Sequence, residues 1–466
     1  MSDPIRMTAA ELSRAYADGS CSPVEVAEAV IRRVERWEPH LNAMYRFHPE
    51  AALASARESE GRWRAKRALS PLDGVPVTIK ENIDTIGDPS PSGTAAGNMQ
   101  PKSVDAPAAA RLREAGAVSL GKTVMPDYGM LSSGLSSLHG VTRNPWRLDR
   151  NTSGSSSGAG AAGAAAYGPL HVGTDIGGSV RLPAAHCGLF GLKPSLGRIP
   201  VDPPYIGRCA GPMTRTVHDA AMLLQVLSRP DARDHMSLPP DDTDYVAGLE
   251  GLSPRGLRIG LLTDMGVGTR PDERVVAAAE AAALALQAQG AIVEPVQSFL
   301  TEGMFDGIHR FFEARSYNDV VAMDEASRAK VLPFLVEWCS WRARTFTGVD
   351  VMAAYAQVVA MRAAATRAVN AVDFMISPVS PILPYEAGRH CPGEDPHDAL
   401  PHIAFTVAWN FGEQPAASLN WTHADGLPVG VQIIGRRFDD LGVLRLSKLL
   451  ETLRPPQTDW PEPPAA

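Results

Sequence analysis

Strand-length apolar runs alternate with helix-length segments along most of this 466-residue chain, and no linker interrupts them. Val75-Pro-Val-Thr-Ile79, Ala117–Leu120, the run beginning at Val172, 257–262, 291–296, 373–377 and 428–434 read as strands. Residues 106–115, 159–167, 216–228, 271–289, 302–321, 350–371 and 439–453 read as helices, after two more over 8–37. Thr8-Ala-Ala-Glu11 and Ser22-Pro-Val-Glu25 open those first two with capping boxes. A sheet of buried strands between covering helices is the architecture such alternation supports. The expectation is therefore α/β, with one unit over 1–466 rather than two domains. Residues 229–255, rich in Pro and Asp, read as an exposed connection, and 386–400 as a polar loop. The Pro-rich end is expected to fray.

Composition excludes several classes. The formal net charge is −8 and the basic residues are scattered, so no nucleic-acid footprint is present. Five widely spaced cysteines with no CxxC suggest neither a disulfide framework nor a thiolate zinc site. The opening Met-Ser-Asp-Pro-Ile-Arg has no apolar leader, and no run approaches the roughly 18 apolar residues of a membrane span. A soluble, cytoplasmic chain is expected.

Three glycine motifs invite misreading. Gly116-Ala-Val-Ser-Leu-Gly-Lys-Thr123 fits the phosphate-loop pattern, yet a helix precedes it and its middle is an apolar strand. Gly158-Ala-Gly-Ala-Ala-Gly163 fits the dinucleotide pattern, but a Ser/Gly loop leads into it instead of a strand. Gly154-Ser-Ser-Ser-Gly158 fits the hydrolase elbow, without the strand or the assigned histidine that the elbow requires. His390, His397 and His402 share one loop with Glu394 and Asp395, which reads as solvated loop rather than metal site.

The remaining pattern is Thr174-Asp-Ile-Gly-Gly-Ser-Val-Arg-Leu182, shortly after Ser153-Gly-Ser-Ser-Ser-Gly158. Two glycines before Ser179 free the backbone to aim consecutive N–H groups at one point while the hydroxyl faces a cleft. That geometry suits attack on a carbonyl and capture of the oxyanion. Ser179 then needs a base. Lys80 ends a strongly apolar strand, and a desolvated lysine becomes a neutral amine near pH 7. From the residues alone, a solvated lysine beyond an edge strand is the plainer account.

The wider pattern resembles the amidase signature family. The resemblance is carried by Gly74-Val-Pro-Val-Thr-Ile-Lys-Glu-Asn-Ile83, Ala115–Thr123, Asn144-Pro-Trp146, Ser153–Gly158, Gly173–Ala184, Gly191-Leu-Lys-Pro194 and Gly211-Pro-Met-Thr-Arg215. It is densest over 70–225, the signature core, and reaches Gly426–Gly435. It implies a single α/β/α domain around a large, twisted, mixed and mostly parallel sheet. It also implies an amide hydrolase in which Ser179 is the nucleophile, Ser155 a bridging serine on a cis peptide and Lys80 the terminal base. Backbone N–H groups of Ile176, Gly177, Gly178 and Ser179 would form the oxyanion hole. Ser156, Thr174, Asp175 and Arg181 would support the turn and the relay.

By the same resemblance, Gly129, Met130 and Leu131 would touch substrate, with side chains from the variable 300–345 region, although core packing explains Met130 and Leu131 equally well. Thr152-Ser153 replaces the usual Pro-Gly, and Ser157 and Ala159 replace the usual Gly and Ser, which bears on loop conformation. Leu182 stands where some members carry a carboxylate-gripping arginine, so an uncharged acyl part is expected. No cofactor or metal is implied. The expected partner is a small-molecule amide, which could equally be an ester or carbamate, taken by a monomer or homodimer. Nucleic acid and membrane are not expected partners. Two alternatives are the glutaminase subunit of a tRNA-dependent amidotransferase and a non-catalytic binding protein on the same scaffold.

Overall fold

Eleven strands pair edge to edge in one sheet in the computed structural model, which describes residues 3–464. In chain order they are β1 (Met44–Phe47), β2 (Pro76–Lys80), β3 (Val118–Thr123), β4 (Leu170–Asp175), β5 (Phe190–Lys193) and β6 (Cys209–Thr214). They continue with β7 (Arg258–Leu261), β8 (Ile292–Pro295), β9 (Phe374–Pro378), β10 (Ala416–Ala424) and β11 (Leu427–Ile434). The spatial order is β1-β3-β2-β4-β6-β5-β10-β11-β9-β7-β8.

Both faces of the sheet are buried, and side-chain alternation shows how. Phe374 and Ile376 enter one apolar cluster while Met375 enters another. Likewise Val429, Val431 and Ile433 lie on one side and Ile434 on the other. The first cluster takes helical residues chiefly from Ala9–Asp18, Pro23–Leu41, Val217–Leu227, Glu273–Ala288 and Asp440–Leu453, with a few from Pro49–Arg64, Pro107–Glu114 and Ser157–Ala164. The second takes them from Glu302–Val321, Pro333–Ser340, Gly348–Asn370 and Ala404–Phe411. Both predicted capping boxes form, at Thr8/Glu11 and Ser22/Glu25. No helix among the described residues is long and apolar enough to cross a membrane.

The α/β architecture and the mixed sheet are as expected, but the parallel share is smaller. Parallel pairs occur at β2–β3, β2–β4, β7–β8 and β7–β9. The central pairs β4–β6, β6–β5, β5–β10, β10–β11 and β11–β9 are antiparallel, as is β1–β3 at the edge. The difference comes from β5, β6 and β10, which carry Gly, Pro or small residues and have weak strand signals.

Residues 229–255 are mostly exposed, whereas the C-terminal segment differs from expectation. Residues 229–255 carry no helix or strand, yet Asp234, Tyr245 and Leu249 are buried within them. Asp234 accepts from the Val201 amide at 2.9 Å. The terminal segment does not fray over its described residues. Gln457 Nε2 donates to the Trp421 carbonyl at 3.1 Å, Trp460 packs against Trp146, and Glu462 pairs with Arg6 and Arg33.

Candidate active site

Parallel pairing of β2 with β4 sets the site. Ile79 lies opposite Val172, so Lys80 leaves β2 beside Thr174 and Asp175 at the end of β4. Carboxyl ends of parallel strands are where α/β sheets present binding crevices. Lys80 is wholly buried, and its Nζ lies 2.9 Å from Ser155 Oγ and 3.0 Å from Thr174 Oγ1. Asn82 Nδ2 donates to the same Thr174 hydroxyl at 3.1 Å. Burial pushes the Lys80 ammonium well below the ordinary lysine range, and the Arg208 charge adds to this against the opposing pull of Asp175 and Glu81. Glu81 is itself engaged, by His139 Nε2 at 2.6 Å and the Gly93 amide at 2.5 Å.

Ser155 follows a cis peptide from Gly154 and precedes the helix Ser157–Ala164. Gly129, at φ +67, packs directly on it: a Cβ there would sit 3.1 Å from Ser155 Oγ. The neighbouring Ser156 Oγ donates to the Thr174 carbonyl at 3.2 Å, and the Ser156 amide donates to the Ser179 carbonyl at 3.2 Å. The Ser/Gly loop is thus tied to both ends of the 174–179 turn.

That turn is held from below by a buried ion pair. Asp175 Oδ1 accepts from Arg181 Nη2 at 2.9 Å and from Asn410 Nδ2 at 2.9 Å, and its Oδ2 accepts from Arg181 Nε at 3.0 Å. Burial alone would push the Asp175 carboxyl up; the Arg181 guanidinium and Asn410 more than offset this and hold it low. Arg181 Nη1 reaches Gln432 Oε1 at 2.8 Å and the Thr406 carbonyl at 3.0 Å. Gly178, at φ +124, has no room for a Cβ, which would meet Thr406 Oγ1 at 2.5 Å.

Ser179 lies on the wall of a cleft of about 430 Å³ shared with Gly129, Met130, Leu131, Ile176 and Gly177. Its hydroxyl makes no hydrogen bond among the described residues, to Ser155 or to any other group. Of the four backbone donors expected around an oxyanion, Gly178 is removed, because its N–H donates to Asp175 Oδ1 at 2.8 Å. The amides of Ile176, Gly177 and Ser179 have no protein acceptor among the described residues. The far wall is Phe312, Arg315, Ser316 and Trp338, from the 300–345 region, with Leu400 and Ile403.

The decoy motifs resolve structurally. Lys122 lies in β3, buried, and its Nζ donates to the Ile83 carbonyl and to Thr85 Oγ1. Gly158–Gly163 lies inside the helix Ser157–Ala164. His390 pairs with Glu394 and His397 with Glu337, while His402 is buried apart.

The amidase family model matches residues 25–444. The chain belongs to the amidase signature family. It is an amide-hydrolysing enzyme. This amidase is 35% identical to an acylamidase of Rhodococcus erythropolis, over 96% of each chain. It is 34% identical to a glutamyl-tRNA(Gln) amidotransferase subunit of Chloroflexus aggregans, over 97% of each. Among solved structures it resembles a bacterial aryl acylamidase of the amidase signature enzymes, with TM-score 0.87, 29% identity and 96% of each chain covered. It also resembles 6-aminohexanoate cyclic dimer hydrolase, with TM-score 0.86, 31% identity, and 97% and 98% covered.

Sequence reasoning missed Thr406, Asn410 and Gln432 around the amidase site; it pointed to the 300–345 region as substrate-facing without naming Phe312, Arg315 or Trp338, and quoted Asn82 only as part of the Gly74–Ile83 motif. Gln432 carried a readable signal, a lone amide in the apolar run Val429–Ile434. The others lie in helices or loops where nothing local marks them.

Proposed function

We propose that this amidase cleaves a carboxamide C–N bond through an acyl-enzyme on Ser179. In this mechanism neutral Lys80 accepts the Ser155 proton as Ser155 accepts that of Ser179. Ser179 Oγ then bonds to the substrate carbonyl carbon, and the oxyanion is met by the amides of Ile176, Gly177 and Ser179. Lys80, again through Ser155, returns a proton to the departing amine as the C–N bond breaks. Water attacks the acyl ester, and the reverse relay frees Ser179. Esters and carbamates can enter the same sequence. Thr174 and Asn82 hold the amine in place; Asp175 and Arg181 hold the turn.

The observation that carries this reading is the wholly buried Lys80 amine 2.9 Å from Ser155, directly behind the cleft wall that bears Ser179. The relay requires the Ser155 and Ser179 hydroxyls to meet when substrate is bound. Catalytic hydrogen bonds commonly tighten only once substrate is bound. A fluorophosphonate probe should label Ser179 in the wild type and nothing in Ser179→Ala. An unlabelled wild type, or equal labelling of the variant, refutes the nucleophile and favours a binding protein.

The amidotransferase relatives favour a second reading, a glutaminase working with partner chains. Against it, the cleft wall offers no carboxylate for the α-ammonium of glutamine. Turnover of L-glutamine, with two further chains co-purifying, would establish that reading; turnover of anilides without glutamine would end it.

A further inference from the structure

The cleft wall beside Ser179 carries one ionised side chain, and no carboxylate among the described residues lies within ion-pair distance of it. Arg315 projects from the helix Glu302–Val321. Its guanidinium carbon lies 4.4 Å from the centroid of the Tyr205 ring. Among the described residues it makes no hydrogen bond and meets no carboxylate within ion-pair distance. Arg342, from the same region, by contrast holds Glu313 and Asp306. A second cation, Arg208, stands close enough for the Arg315 charge to act on it. Burial first, and then that repulsion, push Arg208 down to about 10 against the opposing pull of Asp84. A partly desolvated guanidinium with no carboxylate in ion-pair reach is costly to keep, and a ligand carboxylate in the cleft would relieve it.

The rest of the far wall is mostly apolar, formed by Phe312, Trp338, Leu400 and Ile403. Leu182, whose apolar side chain suggested an uncharged acyl part, packs beneath Gly178 and is not part of this wall.

We propose that Arg315 is a specificity residue: it binds a carboxylate carried by the substrate at the end away from the scissile amide, while an aromatic or aliphatic body lies against Phe312 and Trp338. The planar guanidinium fork suits a carboxylate bidentately and can do so while resting on Tyr205. The substrate class is an anionic amide with an apolar middle. This inference rests on Ser179 being the hydrolytic nucleophile.

The test uses two matched pairs of anilides. Succinanilate against butyranilide places the charge on the acyl side; 4-acetamidobenzoate against acetanilide places it on the amine side. In the wild type, kcat/KM should favour the anionic member of one pair by roughly tenfold or more, as expected for one charge-assisted contact. The responding pair identifies the side that carries the carboxylate. Arg315→Gln should bring that ratio to about one, and Arg315→Lys should leave it intermediate. If Arg315 merely roofs Tyr205, the glutamine variant slows both members alike and the ratio survives, which overturns the proposal. So does a wild-type ratio of one or less in both pairs.

Binding to the Ser179→Ala protein separates the anion site from the hydrolase reading. Calorimetric titration with 3-phenylpropionate and 3-phenylpropanamide should show tighter binding of the acid, lost in Arg315→Gln. Arg315-dependent binding of the acid with no anilide hydrolysed would refute the hydrolase reading and keep the anion site. Anilide hydrolysis with acid and amide bound alike would do the reverse.

Discussion

Lys80 enters the interior as the last residue of an apolar strand, with only hydroxyls for neighbours at its tip. The fold therefore holds an amine where an ammonium is disfavoured, chiefly by burial. The folded-state value lies below the unfolded one, so the unfolded chain binds the extra proton. This group's penalty on stability is absent above the ordinary lysine value, grows as pH falls from there, and is complete below the folded value. Activity moves in the same direction: turnover needs the neutral amine and should fall as pH drops through the folded value. Lys80→Met should therefore lose roughly 10²–10⁴-fold in kcat for amides, the usual worth of a positioned base. Its melting temperature relative to wild type should be most favourable at low pH, with the advantage shrinking as pH rises toward the ordinary lysine value. A methionine variant that kept the wild-type pH–rate profile would remove Lys80 from the chemistry.

Between β4 and the helix Arg181–Cys187, a six-residue reach from Asp175 to Arg181 closes on itself and grips the Gly177-Gly178-Ser179 backbone. Asp175→Asn would leave a fully buried arginine without its anion, a defect worth about 3–5 kcal/mol in comparable pairs. Chemical denaturation should show that loss, and Asp175→Asn combined with Arg181→Met should recover part of it. Additive losses in the double variant would mean that the pair is not coupled. The carboxyl's folded value lies below its ordinary 3.8, so its stabilisation is complete above that pH and fades as pH falls through the folded value. Both residues of this clamp were legible, since they flank the Gly-Gly-Ser turn. Its outer partners were less so: Asn410 and Gln432 join from far along the chain, and only Gln432, a lone amide in an apolar run, carries any local mark. The same logic applies to the strands. Apolar runs such as β2, β9 and β11 announce themselves, whereas β6, Cys-Ala-Gly-Pro-Met-Thr, is a strand only because β4 and β5 lie on either side of it. Arg181 itself was read as a support of the turn, but its bond to Gln432 also ties that turn to β11 across the sheet.

At the scale of the molecule, both ends of the chain close over the layer of helices that covers β2. The terminal segment leaves the helix Asp440–Leu453 and runs back past β10, where Asn420 Nδ2 donates to Gln457 Oε1 at 2.8 Å. It then lays Trp460 on Trp146, with ring centroids 5.7 Å apart, and ends at the N-terminal helices. There Arg33, buried within the helix Pro23–Leu41, donates to the Pro461 carbonyl at 2.8 Å and pairs with Glu462, which also takes Arg6. A proline-rich stretch without regular structure thus works as a strap, because its carbonyls and one carboxylate satisfy an arginine that the core has already desolvated. Truncation after Arg454 removes that satisfaction together with the tryptophan contact. The expected cost is about 2–4 kcal/mol, or several degrees in melting temperature. None of the strap residues lines the cleft, so kcat/KM at 25 °C should stay within about twofold for the folded fraction. Glu462→Gln should give a smaller part of the thermal loss, since the Arg33 bonds to the Ala165 and Pro461 carbonyls remain. Scanning calorimetry of the truncated protein decides it: an unchanged melting temperature would mean that the strap rests on the surface without holding the layers together.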